Sequence, residues 1–348
     1  MTILRCLACS VVGILATGTG VAAVHRDLVF DQATPLARNE ALLERMFSPL
    51  LADVLRGQLA ERQGSTETAA LDLAQERFEL YVPEGEAPPQ GYGLLVFIPP
   101  WESQGLPREW LPVLDRYGLI AVTAERSGNS QNVLSRRVPL ALSGYENARR
   151  RYALDPRRVY VGGFSGGARV AMRTALAFPD IFHGAVLNAG SDPFGTPEVP
   201  LPAAALFDQF ERGMRLVYVT GTRDESAAAT DRRSHASANV LCVSNLVDLP
   251  IRGGGHEPAD GRSFKHALRL LDAPRVEMRD AEACRSRRSA EIARANADAR
   301  SAFDAGDMKE AARRLAELDT RYGGLALPAS AELAKLLREH GVEPLASP

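Results

Sequence analysis

What most constrains this chain is a rhythm between residues 76 and 272, where short apolar runs alternate with helical stretches. Leu94-Leu95-Val96-Phe97-Ile98 is apolar without a break, the pattern of a strand covered on both faces. Leu119–Thr123, Val159–Val161, Ala185–Leu187, Leu216–Val219 and Leu246–Pro250 repeat it. The spacing predicts helices over Leu106–Tyr117 and Pro139–Tyr152, and helical stretches separate most of the later runs. Upstream, Arg77 to Val82 alternates polar and apolar residues, as a half-exposed strand does. Buried strands joined through helices stack as a mostly parallel sheet covered on both faces, because parallel neighbours need a crossover between them. The expected fold class is α/β.

The flanks read differently. Arg5 precedes an uncharged run from Cys6 to Val24 that closes on Val21-Ala22-Ala23, the pattern of a signal peptide at 1–23 cut after Ala23. An uncleaved anchor is the alternative, and the glycines and threonines of the run favour cleavage. The mature protein would then be periplasmic or secreted, without a stable membrane span. Residues 24–75 read as an N-terminal helical segment, with Leu43, Met46, Phe47, Leu50, Leu51, Val54 and Leu55 at three-four spacing. Ser48-Pro49 divides it, serine as N-cap and proline at the first helical position.

The α/β domain is placed at 76–274 and a helical C-terminal extension at 275–348. In the extension Met308, Ala311, Ala312, Leu315 and Leu318 form one apolar stripe after a break at Gly306-Asp307. Residues 299–322 resemble a single tetratricopeptide-type hairpin, which cannot bury its own face, so docking on the α/β domain is expected. Arg285, Arg287 and Arg288 read as a solvated face.

Removing 1–23 takes away Cys6 and Cys9 and leaves Cys242 and Cys284. An even pair in an oxidising compartment suggests one disulfide, with two buried thiols as the alternative. With 41 basic against 43 acidic residues the net charge is −2, which gives no bias toward nucleic acid. Six histidines without a close pair at ligand spacing argue against a zinc site.

Within the alternation, Gly163-Phe164-Ser165-Gly166-Gly167 fits G-x-S-x-G, a weak pattern by itself. Its context strengthens it: a β-branched strand leads in and an Ala/Met/Leu-rich helix leads out, the strand–turn–helix of a nucleophile elbow. Ser165 there needs a base to take its proton and an acid to hold that base. Downstream, Gly221-Thr222-Arg223-Asp224 follows one strand and Gly253-Gly254-Gly255-His256 follows the next, both at strand C-termini where open α/β sheets carry their sites. Asp224 and His256 are the expected acid and base, with Glu225, Asp231 and Asp248 as other acids. Asp248, inside a strand, reads as half-buried structure. His183, His235 and His266 lie before a strand or within helices. The backbone N–H of Gly166 is one expected oxyanion donor. The loop after Ile98 begins Pro99-Pro100, which have no N–H, so Trp101 is the first residue there able to supply the second.

Taken together, Leu154-Asp155-Pro156-Arg157-Arg158-Val159-Tyr160, the elbow, Ala177-Phe178-Pro179-Asp180-Ile181-Phe182, Gly221 to Asp224 and Gly255-His256 resemble secreted esterases. The resemblance is to the polyhydroxybutyrate depolymerase and feruloyl esterase group of the α/β-hydrolase superfamily. It implies an α/β-hydrolase fold and hydrolysis of small or polymeric esters through an acyl-enzyme on Ser165, without a metal or organic cofactor. Pro99-Pro100-Trp101 departs from the group's usual His-Gly oxyanion loop. Two other readings stand beside it: a propeller-free serine peptidase of prolyl-oligopeptidase type, and a non-catalytic binding or scaffold protein. Nothing in the sequence fixes an oligomeric state.

Overall fold

The computed structural model describes residues 23–63, 71–103, 105–274 and 279–345. The expected signal peptide lies outside the described residues except for Ala23, which opens the first strand.

Eight strands form one sheet: β1 (Ala23–Leu28), β2 (Phe78–Val82), β3 (Tyr92–Ile98), β4 (Leu119–Ala124), β5 (Leu154–Phe164), β6 (Gly184–Asn188), β7 (Arg215–Gly221) and β8 (Leu246–Ile251). Their order is β1-β2-β4-β3-β5-β6-β7-β8. β2 is antiparallel to both β1 and β4, and every pairing from β4 to β8 is parallel. The helices are α1 (Asn39–Met46), α2 (Pro49–Gln63), α3 (Leu111–Tyr117), α4 (Val138–Arg151), α5 (Gly166–Ala177), α6 (Ala204–Gly213), α7 (Glu225–Val240), α8 (Gly261–Asp272), α9 (Ala281–Asp304), α10 (Met308–Tyr322) and α11 (Ala329–Glu339).

The two-residue period of a strand divides the core. Leu94, Val96 and Ile98 join a cluster with Leu142 of α4 and Met172 of α5, whereas Leu95 and Phe97 face Leu114 of α3 and Phe264 of α8. Both faces are buried, as the unbroken apolar runs require. α10 and α11 belong to the first cluster through Leu315, Leu318, Tyr322 and Leu333. The C-terminal helices are therefore docked, and a disulfide between Cys242 and Cys284 fastens the end of α7 to α9.

Four expectations change. The segment at 24–75 opens with β1, an edge strand whose Arg26 reaches the buried Glu79 at 3.0 Å. The helix over 106–117 is a 3-10 turn at Arg108–Trp110 followed by α3, whose first turn holds Pro112, lacking the N–H that a longer helix would need there. Asp248 is not half-buried: β8 is an edge strand, and the side chain lies exposed, 3.1 Å from His235. The basic cluster is not a solvated face. Arg285 and Arg288 bind the buried Glu211 at 2.5 and 2.8 Å, and only Arg287 faces solvent.

Ser48 caps α2 as expected, accepting the Leu51 N–H at 3.2 Å. Its hydroxyl donates to Asp319 Oδ2 of α10 at 2.5 Å, joining the two ends of the chain. Asp319 Oδ1 is buried without a partner among the described residues, and burial pushes the carboxyl up from 3.8 to about 6. The folded state thus holds a proton that the unfolded state releases, so stability falls as pH rises through roughly 4 to 6, by at most about 3 kcal/mol. Asp319→Asn keeps an acceptor for Ser48 and removes the charge. It is expected to raise the melting temperature by a few degrees at pH 8 and by nothing at pH 4. Thermal melts across that range read this out, and an equal gain at both ends contradicts it.

Candidate active site

β5 runs straight into the turn that carries Ser165, and α5 begins at the next residue. Ser165 sits at φ 53°, ψ −122°, a region that side chains avoid and that persists only where the surroundings impose it. They do. The Ser165 N–H donates to Asn188 O at 2.8 Å, and its carbonyl accepts from Ala168 N at 3.0 Å. A methyl group on Gly163 would lie 2.3 Å from the Gly167 carbonyl carbon, and one on Gly167 would lie 1.9 Å from Ile98 O. The elbow is a place where strand β3, strand β5 and helix α5 touch backbone to backbone, which only glycine allows.

His256 Nε2 is 2.9 Å from Ser165 Oγ, and His256 Nδ1 is 2.6 Å from Asp224 Oδ2. With Nδ1 donating to the carboxylate, Nε2 is left to accept the serine proton. Asp224 is buried, and its other oxygen caps α7 by accepting the Ala227 N–H at 3.1 Å. The imidazole is half exposed. The other acids are elsewhere. Asp231 accepts hydroxyls from Ser191 and Thr220, both at 2.6 Å, and burial raises its pKa. Glu225 is exposed on the first turn of α7, and Asp248 faces His235.

The acid and base loops are zipped together. Arg223 N–H donates to Gly254 O at 2.9 Å, Thr222 N–H to Ile251 O at 2.9 Å, and Gly253 N–H to Thr222 Oγ1 at 2.9 Å. A Cβ on Gly221 would lie 2.4 Å from the carbonyl oxygens of both Gly254 and Gly255. The glycine-rich sequence before His256 is therefore a packing surface for the Asp224 turn.

Several positioning residues escaped the sequence reading. The buried Asn188 gives its carbonyl to Ser165 N, its Oδ1 to Ala259 N at 2.7 Å, and its Nδ2 donates to Val219 O at 2.8 Å. One residue thus ties the elbow through its backbone carbonyl, and the end of β7 and the loop of His256 through its side chain. Trp110 Nε1 holds the same loop by donating to Ala259 O at 2.7 Å. Position was the only signal available: Asn188 ends a strand at the sheet edge that carries the site.

The loop after β3 is held from the segment following β4. The buried Arg137 donates to Pro99 O at 2.9 Å and Ser127 O at 2.8 Å, and desolvation lowers its pKa to about 10. Arg126 N–H donates to Glu102 O at 2.6 Å and Asn129 N–H to Pro100 O at 3.0 Å. Glu102 accepts from Ser130 Oγ at 2.5 Å and Gln131 Nε2 at 3.0 Å, which holds its carboxyl below the usual range. The Trp101 N–H donates to none of the described residues, and its indole lies 6.3 Å from the Phe164 ring. Gly166, first in α5, has no helical carbonyl upstream for its N–H.

The sheet order, the single antiparallel β2 beside a parallel run, and the elbow between β5 and α5 are those of the α/β-hydrolase fold. The resemblance noted in the sequence recurs among known proteins. No protein-family model matches the chain. Over 105 residues, 26% of this chain, it is 30% identical to the poly(3-hydroxybutyrate) depolymerase of Ralstonia pickettii, and the match spans 22% of that relative. Among solved structures it is similar to the S-formylglutathione hydrolase of Staphylococcus aureus, with TM-score 0.44 and 14% identity over 56% of this chain and 92% of that one. A ferulic acid esterase gives TM-score 0.41 and 14% identity over 56% and 89%.

Two substitutions test this geometry. Gly167→Ala forces α5 away from Ile98 O and is expected to lower the melting temperature and separate Ser165 from His256. Asn188→Ala leaves Ala259 N without its acceptor, at about 1–3 kcal/mol, while Val219 O keeps the Ala189 N–H. Denaturant titration measures the loss, and two variants as stable as the parent would contradict the packing described.

Proposed function

We propose that the protein is an exported serine hydrolase that cleaves carboxylic esters, small or polymeric, through an acyl-enzyme on Ser165. The observation that carries this reading is the hydrogen-bonded line from Ser165 Oγ through His256 to the buried Asp224, at 2.9 and 2.6 Å.

His256 Nε2 takes the Oγ proton as Ser165 attacks the acyl carbon. Asp224 stabilises the imidazolium and fixes its orientation. The oxyanion receives hydrogen bonds from the Gly166 and Trp101 N–H groups. The tetrahedral intermediate collapses, the alkoxide leaves with the proton from His256, and the acyl group stays on Oγ. Water then gives its proton to His256 and attacks the same carbon. Collapse returns the proton to Ser165 and frees the acid. No step calls on a metal or organic cofactor.

Export, to periplasm or medium, is supported by the uncharged run ending at Ala23 and by the Cys242–Cys284 bridge, which suits an oxidising compartment. No helix among the described residues is long and apolar enough to cross a membrane.

The test is a fluorophosphonate label followed by aryl esters of increasing acyl length and matched peptide amides. The parent protein is expected to label once and to hydrolyse esters in preference to amides. Ser165→Ala should lose the label and at least about 10⁴-fold in kcat/KM, and His256→Ala a similar factor. An unlabelled, inactive parent overturns the reading in favour of a binding protein, and preference for amides overturns the ester assignment.

A further inference from the structure

The loop after β3 opens with two prolines, so its backbone supplies few donors to an oxyanion. The segment after β4 brings another group to the same place. A methyl group on Gly166 would lie 2.2 Å from Asn129 Oδ1, 2.8 Å from Cγ and 3.1 Å from Nδ2. The carboxamide of Asn129 therefore rests on the α-carbon of the residue whose N–H is the first oxyanion donor.

Its mounting is rigid. The Asn129 N–H donates to Pro100 O, the neighbouring Ser130 and Gln131 side chains are bound to Glu102, and Arg137 grips Ser127 O and Pro99 O together. Gly128 fits because it has no side chain: a Cβ there would meet Glu102 Oε1 at 2.5 Å and the Trp101 carbonyl carbon at 2.8 Å. Yet Asn129 is an exposed residue, and its carboxamide makes no hydrogen bond to any described residue. A half-turn about Cβ–Cγ exchanges its oxygen and nitrogen without breaking a hydrogen bond, so Nδ2 can take the position beside Gly166 that Oδ1 holds.

We propose that Asn129 is a substrate-contacting catalytic residue, donating an Nδ2–H hydrogen bond to the acyl oxygen as negative charge develops on it. This rests on the ester-hydrolase reading of Ser165. The donor adds to the Gly166 and Trp101 N–H groups beside a loop whose two prolines supply none, and its backbone is held by Pro100 O before the reaction begins, which favours a strong bond at the transition state. It binds the ground-state carbonyl less, because that oxygen carries less charge.

The experiment compares the parent with Asn129→Ala and Asn129→Asp on an aryl acetate and with an aryl boronic acid that mimics the tetrahedral adduct. Asn129→Ala is expected to lower kcat about 100-fold with KM changed by no more than about threefold. Boronate affinity should fall in parallel with kcat/KM. Asn129→Asp, nearly identical in shape but carrying a negative charge beside the oxyanion, should fall further. Both should still react once per molecule with fluorophosphonate, more slowly, and melt within a degree or two of the parent.

An active parent with kcat unchanged in both variants overturns the role of Asn129 alone. A rise confined to KM, or a loss matched by a lower melting temperature in both variants, does the same. An inactive, unlabelled parent overturns the ester-hydrolase reading, and this role with it.

Discussion

The mouth of this sheet depends on one close approach, the α-carbon of Gly167 against the carbonyl of Ile98. Because nothing larger than hydrogen fits between them, α5 can start directly over the end of β3 and the chain must reverse within Ser165. That reversal places the serine in a backbone conformation it would not choose, and the strain is held by the Asn188 carbonyl and by the first turn of α5. The hydroxyl is lifted clear of the sheet. A looser turn would leave it lying against the helix.

The partners of Ser165 are placed by a different device. Asp224 and His256 stand on successive loops that share three hydrogen bonds and a glycine contact, so the pair behaves as one piece. Asn188 and Trp110 then fix that piece at Ala259, from its N–H and its carbonyl respectively. The geometry follows from backbone groups being satisfied, with the side chains of Asp224 and His256 carried along. A buried amide left without a partner costs more than a good bond gains, so this framework resists small displacements.

Much of this was legible in the sequence. Each buried strand is a run of apolar residues because both its faces are covered, and the elbow needs its glycines for contacts that the structure displays. Ser165, Asp224 and His256 could be read because each ends a strand in a short, glycine-bearing turn. What could not be read acts across distance through carbonyls. Arg137 reaches Pro99 38 positions back, and Trp110 reaches Ala259 149 positions ahead. Carbonyls have no residue type to recognise. β1 was missed because its side chains are mostly exposed and its hold is the backbone ladder to β2. The Arg285–Arg288 cluster misled for a related reason: its sequence shows three charges and conceals Glu211, 74 positions away.

Asp224 caps the start of α7, whose sixteen residues lead through Leu241 into Cys242. A helix of that length is about 24 Å of stiff rod. Its near end is anchored in the loops around the imidazole, and its far end is riveted to a helix from the other end of the chain. Glu211 is sealed beneath the same joint by two guanidinium groups from that late helix. The last third of the polypeptide is therefore part of the foundation on which the acid stands, and the core cannot be cut free of it without exposing an orphaned carboxylate.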